Sequence, residues 1–215
     1  MTILALEFSS EERSVAVMRE GVVAAEETAA GGRSTTAFAM IERALARAKI
    51  EREAVEAIAV GLGPGSYTGI RAAIALAQGW QLARGIKTLG VSSVAAIAFQ
   101  AQAQKKFGRI NTVVNAQRGE FYFATWEITE TVRAEIEPLR ILPIDEIRAH
   151  TEILIGPEAA KFFPNGRAIF PRAAAVAALA ARGEFVSGNK LEPIYLRETT
   201  FVKAPKSGIT HGPGL

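Results

Sequence analysis

The stretch Gly61-Leu62-Gly63-Pro64-Gly65-Ser66-Tyr67-Thr68-Gly69-Ile70-Arg71 decides how this chain folds, because it joins a strand to a helix. Its glycines and its proline leave little room for regular structure before Ser66. From residue 66 onward, small and apolar residues recur at helical spacing, and the hydroxyl of Ser66 or Thr68 is placed to cap the new helix. The sequence therefore predicts a glycine-rich turn at a helix N-terminus.

Such a turn is a place where the backbone can approach an anion without side chains in the way. The motif is not a P-loop, because Gly65 is followed by serine and tyrosine rather than by Lys-Ser/Thr. It is not a dinucleotide fingerprint either, because the third glycine would fall at position 66. Two interpretations stay open: a turn that packs a helix against a sheet, or a weak nucleotide or anion loop formed by Gly63, Gly65, Ser66, Thr68 and Gly69.

The composition limits the classes of function. A chain of 215 residues, of which 49% are hydrophobic, can bury a full core as one large domain or two small lobes. The net charge is only +3 and the arginines are scattered, which argues against a dedicated nucleic-acid groove. A mildly basic surface remains compatible with weak or assisted RNA contact.

Targeting and redox features are missing from the sequence. There is no cysteine, so the chain has no disulfide, no thiolate nucleophile and no Cys-ligated zinc. The N-terminus lacks the basic and apolar regions of a signal peptide, and no apolar run approaches the length of about 20 residues that crosses a bilayer. We therefore expect a soluble, cytoplasmic protein without membrane partners.

Strands and helices alternate along the first half of the chain. Residues 2–8 are strand-like, and the next two strands form a hairpin that turns at Glu20-Gly21. A helix follows with Phe38, Ile41 and Leu45 on one face, capped by Ser34 or Thr35. A short buried strand then leads into the glycine loop, and residues 86–91 and 92–104 read as another strand and helix. This order indicates an α/β fold.

The polar stretch at residues 100–106 predicts a junction between two lobes. After it, strands at 110–115 and 121–126 form a second hairpin that echoes the opening of the chain. A strand at 153–156 and an alanine-rich helix at 172–182 follow. We expect an N-terminal, partner-binding α/β lobe at 1–106, a C-terminal α/β lobe at 107–204 and a flexible tail at 205–215.

Five stretches together resemble the TsaB (YeaZ-type) family of tRNA threonylcarbamoyladenosine biosynthesis proteins, which is glycoprotease-like. The stretches are ILALEFSS at 3–10, GPGSYTGIR at 63–71, GVSS at 90–93, NAQRGEFY at 115–122 and PIYLR at 193–197. The resemblance implies a two-lobed α/β fold like that of actin, sugar kinases and heat-shock chaperones (the ASKHA fold), in which a nucleotide can lie in the cleft.

The resemblance also implies a role without catalysis by this chain. TsaB-like proteins pair with a catalytic paralogue, TsaD, and with the ATPase TsaE. The assembly transfers a threonylcarbamoyl group to adenosine 37 of tRNAs that read codons beginning with A. By resemblance we expect an accessory subunit with no cofactor of its own, indirect contact with tRNA, and ATP or ADP, if any, at the interface of the complex.

The histidines agree with this division of roles. A metal site of the paralogue's type needs two histidines within one helix, whereas this chain has only His150 and His211. Residues 33–40, where such histidines would be expected, read RSTTAFAM and offer no ligand for iron or zinc. No metal site is therefore expected.

Two positions depart from the family pattern. The family commonly has Asp where this chain has Glu7, and Asp-Ala-Arg where it has Asn115-Ala116-Gln117. In nucleotide-hydrolysing relatives those aspartates hold magnesium, so Glu7 and Asn115 should weaken such a site. We include Glu7, Ser9 and Asn115 with the loop as weak candidates for nucleotide contact.

The helix after the glycine loop is rich in small residues, which allow a second helix to pack very close. By resemblance the partner contact involves the helices at about 34–49 and 68–84, and a homodimer through the same face is expected when the partner is absent. The predicted interface residues are Met40, Ala44, Arg71, Ala73, Ile74, Ala77 and Trp80. Met40, Ala44, Ile74 and Trp80 could equally be core residues.

Two other functions share features of this sequence. An ATP-binding small-molecule kinase would have the same fold, but the missing aspartates argue against it. A metal-dependent peptidase would need a metal site that the histidines do not supply.

Overall fold

Two five-stranded sheets with the same connectivity organise the chain. The structure is a computed structural model that describes residues 1–30 and 37–196. The first sheet contains β1 (Thr2–Glu7), β2 (Glu12–Arg19), β3 (Val22–Ala30), β4 (Ala57–Gly61) and β5 (Lys87–Val91). Its order is β3-β2-β1-β4-β5. The first three strands form an antiparallel meander, while β4 and β5 run parallel to β1.

The second sheet repeats this pattern. It contains β6 (Gly108–Gln117), β7 (Glu120–Ile128), β8 (Arg133–Pro143), β9 (Ile153–Gly156) and β10 (Gly166–Ala168). Its order is β10-β9-β6-β7-β8, again an antiparallel meander of three strands followed by two parallel strands on the other side of the first. The expected echo between the two halves is confirmed, and so is the two-lobed α/β fold.

Helices cover both faces of each sheet. They are α1 (Ala37–Ala48), α2 (Tyr67–Arg84), α3 (Ser93–Ala103), α4 (Ile144–Arg148), α5 (Ala159–Phe162) and α6 (Ala173–Ala180), with short 3-10 turns at Arg52–Ala54 and Gly188–Lys190. On the first sheet, α1 and α2 pack on one face, and α3 and α6 on the other. Because α3 also packs against the second sheet, it joins the two lobes.

The end of the described chain returns to the first lobe. The expected boundary after residue 106 falls where β6 begins, but the expected assignment of all of 107–204 to the second lobe needs correction. The backbone N–H of Ala173 donates to Ser14 Oγ (2.7 Å), and that of Val186 donates to the carbonyl of Thr88 (2.9 Å). Residues 173–196 therefore pack with the first lobe. The tail predicted at 205–215 lies outside the described residues.

Local sequence signals explain most elements. Both predicted hairpins turn on a pair of left-handed residues, Glu20-Gly21 (φ 53° and 81°) and Arg118-Gly119 (φ 58° and 76°), which matches the twist of the adjoining strands. The strands β8 and β10 were not predicted. Phe38 was predicted on one face with Ile41 and Leu45, but it is 64% exposed, and the buried face of α1 consists of Met40, Ile41, Ala44 and Leu45. The cap predicted at Ser34 or Thr35 lies outside the described residues.

Candidate functional site

The glycine loop is closed against the first strand of its own chain. A Cβ at Gly65 would overlap the carbonyl oxygen of Ser9, and a Cβ at Gly69 would overlap that of Phe8. The backbone N–H of Ser66 donates to the same Ser9 carbonyl at 2.6 Å. These glycines are therefore required for close approach within the molecule, which favours the packing turn over the anion cradle.

The loop ends by capping α2. The side chain of Ser66 accepts a hydrogen bond from the N–H of Gly69 at 3.3 Å, so Ser66 rather than Thr68 is the N-cap residue. Thr68 is exposed on the first turn. Gly63, at φ +87°, lies against the side chain of Ile70 and donates its N–H to Ser93 Oγ at 3.1 Å. The strand-to-helix junction predicted from the sequence is confirmed.

Glu7 lies beneath the loop and is completely buried. One carboxylate oxygen accepts from the N–H of Ser9 and the other from the hydroxyl of Ser93, both at 2.8 Å. Burial raises the pKa of Glu7, and the hydrogen bonds from Ser9 and Ser93 partly offset that effect. A Cβ at Gly61 would overlap this carboxylate. Glu7 therefore connects the end of β1 to α3 by hydrogen bonds beneath the loop, and it does not line the cleft.

A cleft of about 650 Å³ opens beside the loop, between the two lobes. Ser9, Gly65, Ser66 and Asn115, all predicted candidates, line it. Four other predicted candidates do not line the cleft: Glu7, Gly63, Thr68 and Gly69. Ser93 and Ile97 of α3 form part of the wall, so the helix that joins the lobes also shapes the cleft.

The side chain of Asn115 is hydrogen-bonded within its own turn. Its side-chain oxygen accepts from the N–H of Gln117 at 2.7 Å, at a left-handed residue (φ 67°) of the β6–β7 hairpin. A neutral amide engaged in this way offers no charge to a metal ion. With Glu7 buried as well, the residues present do not fit a magnesium-bound nucleotide of the kind that hydrolysing relatives hold.

The sequence did not predict the charged residues that line the cleft. Arg13, Glu11 and Glu158 line the cleft. Burial raises the pKa of Glu158, and the nearby charge of Glu11 raises it further. No motif marked these positions, because they meet only when the two sheets are brought together.

The C-terminal segment closes the other side of the loop. The N–H of Ile194 donates to the carbonyl of Leu62 at 2.8 Å. The ring of Tyr195 stacks on that of Tyr67 with centroids 5.4 Å apart, and the guanidinium of Arg71 lies 4.7 Å from the Tyr67 centroid on its ring face. Burial raises the pKa of Tyr195. The stretch at 193–197 therefore fixes the start of α2, as far as residue 196 is described.

Most of the predicted partner-interface residues belong to the core. Five of them are less than 9% exposed and pack in the first lobe, which corrects that prediction: Met40, Ala44, Ala73, Ile74 and Ala77. Trp80 is half-buried, with Arg84 over its ring. Of the predicted set, Arg71 alone is exposed. Small residues occur on all sides of α2, and Ala73 and Ala77 lie on the side that faces the core.

A different set of residues forms the outer face of α2: Arg71, Ala72, Ala75, Gly79 and Leu82. The side chain of Leu82 is 91% exposed. A Cβ at Gly79 would meet no atom within 4 Å, so nothing in residues 1–30 and 37–196 requires glycine there. Glycine in a helix interior costs about 1 kcal/mol relative to alanine.

His150 does not belong to any cluster of potential metal ligands among the described residues. His150 packs against the ring of Phe123 with its Nδ1 3.5 Å from Glu152. His211 and residues 33–36 lie outside the described residues. Within residues 1–30 and 37–196 there is no group of three or more potential metal ligands, and no helix is long and apolar enough to cross a membrane.

Comparisons with known proteins agree over most of the chain. The family model for TsaD, described as tRNA N6-adenosine threonylcarbamoyltransferase, matches residues 3–197. The tRNA threonylcarbamoyladenosine biosynthesis protein TsaB of Escherichia coli (strain K12) is 29% identical over 219 residues, which cover 92% of this chain and 95% of that protein. TsaB of Bacillus subtilis (strain 168) is 29% identical over 140 residues, or 64% and 60% of the two chains.

A solved structure extends the likeness to three dimensions. YeaZ from Pseudomonas aeruginosa superimposes with a TM-score of 0.78 at 28% sequence identity, and the match covers 91% of this chain and 99% of that one. Both lobes are therefore included in the likeness.

Proposed function

Since the chain belongs to the TsaD family of tRNA N6-adenosine threonylcarbamoyltransferase proteins and is of its TsaB (YeaZ) type, we propose that it is a non-catalytic subunit of the assembly that makes threonylcarbamoyladenosine in tRNA. In this role it binds a TsaD-like catalytic paralogue, with a TsaE-like ATPase as the further partner. The modified position is adenosine 37 of tRNAs that read codons beginning with A.

The cleft supports the non-catalytic part of the proposal. A carboxylate that activates water or holds magnesium must reach the ligand, whereas Glu7 is buried under Gly61. Asn115 is neutral and bonded within its hairpin. The loop glycines contact this chain's own backbone. A kinase would need the carboxylate, the amide and the loop backbone to be available to its nucleotide. Among the described residues, no cluster of potential metal ligands favours a metal-dependent peptidase.

Gly79 is the observation that carries the partner-binding part. A helix-interior glycine that no described residue requires destabilises the helix, and close contact with a partner is a physical reason to keep it. With Ala72 and Ala75 it lets another helix approach closely, and Leu82 supplies exposed apolar area for burial. The proposed interface is therefore the outer face of α2.

Co-elution with the cognate TsaD-like protein tests this interface. We expect a heterodimer by size-exclusion chromatography with light scattering, and we expect Leu82→Glu to abolish it by placing a charge in an apolar contact. Val22→Glu is the matched control, because Val22 is also an exposed aliphatic residue (69%) but lies on β3. Equal pairing by wild type and Leu82→Glu would exclude this face.

The proposed role as a subunit also implies where the chain acts and what else it contacts. The chain acts in the cytoplasm and meets tRNA as part of the assembly. In the absence of the partner, the outer face of α2 can pair with a second copy. ATP or ADP, if required, is held at the interface of the complex with residues from the partner.

A further inference from the structure

Four basic residues lie just beyond the ends of α3 and α6 and at the start of β8, away from the Asn115 end of β6 that lines the cleft. The helix α3 starts at the cleft with Ser93 and ends at Ala103, and α6 runs beside it. Beyond these two helix ends, and at the start of β8, lie Lys105, Lys106, Arg182 and Arg133. We call these four residues the basic end.

Arg133 is held in a fixed position. Its guanidinium lies 4.9 Å from the centroid of the Phe99 ring, and its Nη1 donates to Gln102 Oε1 at 2.8 Å. The amide of Gln102 donates in turn to the carbonyls of Thr129 and Val132. One face of the guanidinium is therefore used for stacking and one N–H for positioning, which leaves further donors for a ligand.

Arg182 follows the end of α6, and α6 packs against Phe99, the ring that lies under Arg133. Burial lowers the pKa of Arg133, and the charge of Arg182 lowers it further. Across the described residues, neither guanidinium has a carboxylate oxygen within 4 Å, although Glu130 and Glu184 lie in the adjoining segments. Two like charges held together without an acidic partner repel each other, and a bound anion would relieve that repulsion.

Capping of the helix ends does not account for the two arginines. Backbone N–H groups already satisfy carbonyls in the last turns of both helices: that of Gln104 donates to Gln100, and that of Gly183 donates to Ala180. The only hydrogen bond that the structure gives the Arg133 side chain within the described residues is the one to Gln102.

The sheet places an exposed aromatic ring beside Arg133. Arg133 pairs with Ile128, which pairs with Gly108, so the three residues form a row across β8, β7 and β6. Two interstrand spacings of about 4.8 Å put Gly108 roughly 10 Å from Arg133. Phe107 precedes Gly108 and is 46% exposed. Cations and an exposed ring at this spacing suit adjacent phosphates and bases of RNA.

We propose that the basic end binds the phosphate backbone of RNA, with Arg133 and Arg182 each contacting a phosphate. The planar guanidinium donates two parallel hydrogen bonds to phosphate oxygens, and Lys105 and Lys106 add charge along the strand. This inference rests on the proposed function, because a subunit of a tRNA-modifying assembly meets RNA rather than an acidic peptide. It gives the chain a direct contact with tRNA on the opposite side of the first sheet from α2.

Fluorescence anisotropy with a labelled tRNA transcript tests the proposal. For the double variant Arg133→Gln/Arg182→Gln we expect about tenfold weaker binding, and a salt dependence of log K that is shallower by about 1.5 to 2. The matched control is Arg43→Gln/Arg148→Gln, which removes the same charge from arginines on α1 and α4 that pair with Glu27 and Asp145. The control should stay within twofold of wild type.

Single variants separate a loss of RNA contact from a loss of folding. Arg182→Gln alone, at an exposed position, should weaken binding even if the double variant folds poorly, and Arg133→Lys should retain part of the affinity. Equal loss in the control pair, no RNA binding by wild type, or displacement of RNA by polyglutamate at equal charge would each overturn the proposal. Co-elution with the TsaD-like partner should be unchanged in these variants. Failure of wild-type pairing would count against the proposed function instead.

Discussion

Replacing Gly61 by alanine should destabilise the protein by about 3 kcal/mol. The backbone of Gly61 lies in β4 outside the left-handed region, so alanine is allowed there and would otherwise stabilise the strand by about 0.5 to 1 kcal/mol. The new methyl, however, would lie 2.6 Å from Glu7 Cδ and overlap the carboxylate. The carboxylate must move away from Ser9 and Ser93, and each hydrogen bond to a charged group contributes about 1.5 to 3 kcal/mol.

Urea denaturation followed by circular dichroism measures the effect, and a double-mutant cycle identifies its cause. In a Glu7→Asp background the shorter side chain leaves room for the methyl, so Gly61→Ala should cost less than about 1 kcal/mol there. The matched control is Gly79→Ala, which meets no atom within 4 Å and should stabilise α2 by about 1 kcal/mol. Equal costs of Gly61→Ala in the two backgrounds would refute the role assigned to Glu7.

Three further predictions follow from the same contacts. Because burial raises the pKa of Glu7 above its ordinary 4.5, the folded state binds more protons than the unfolded chain above that pH, so stability should fall as pH rises from about 4.5 toward the raised pKa. Glu7→Gln should flatten that decline in urea titrations, and an unchanged slope would contradict the assignment. Ala73→Arg should unfold the first lobe, whereas Ala75→Arg should keep the thermal melt and lose only partner pairing; the reverse pattern would exchange the inner and outer faces of α2. Ser66→Ala should cost about 1 kcal/mol by removing the α2 cap, measured against Thr68→Ala, which should be near neutral.

The sequence predicts the elements that have strong local signals. The hairpins at Glu20-Gly21 and Arg118-Gly119 follow from glycine at a left-handed position, and the α2 N-terminus follows from Ser66. The strand β8 lacks such a signal, because it is an edge strand with charged residues and Pro138 in its middle. The family resemblance, drawn from five short stretches, is confirmed.

The site was harder to predict than the fold. A glutamate at a strand end usually faces water, and the burial of Glu7 depends on a glycine 54 positions later in the chain, at Gly61. Small residues all around α2 allowed no choice between its faces, so Ala73 and Ala77 were placed at the interface although they lie in the core. Long-range packing decides both points.

Reconstituted threonylcarbamoyl transfer tests the central claim most directly. Purified TsaD-like and TsaE-like proteins would be assayed on tRNA without this chain, with wild type, and with Leu82→Glu or Val22→Glu. We predict transfer with wild type and Val22→Glu, and background transfer with Leu82→Glu or when the chain is omitted. Transfer at the full rate in the absence of this chain would contradict its role as a required subunit.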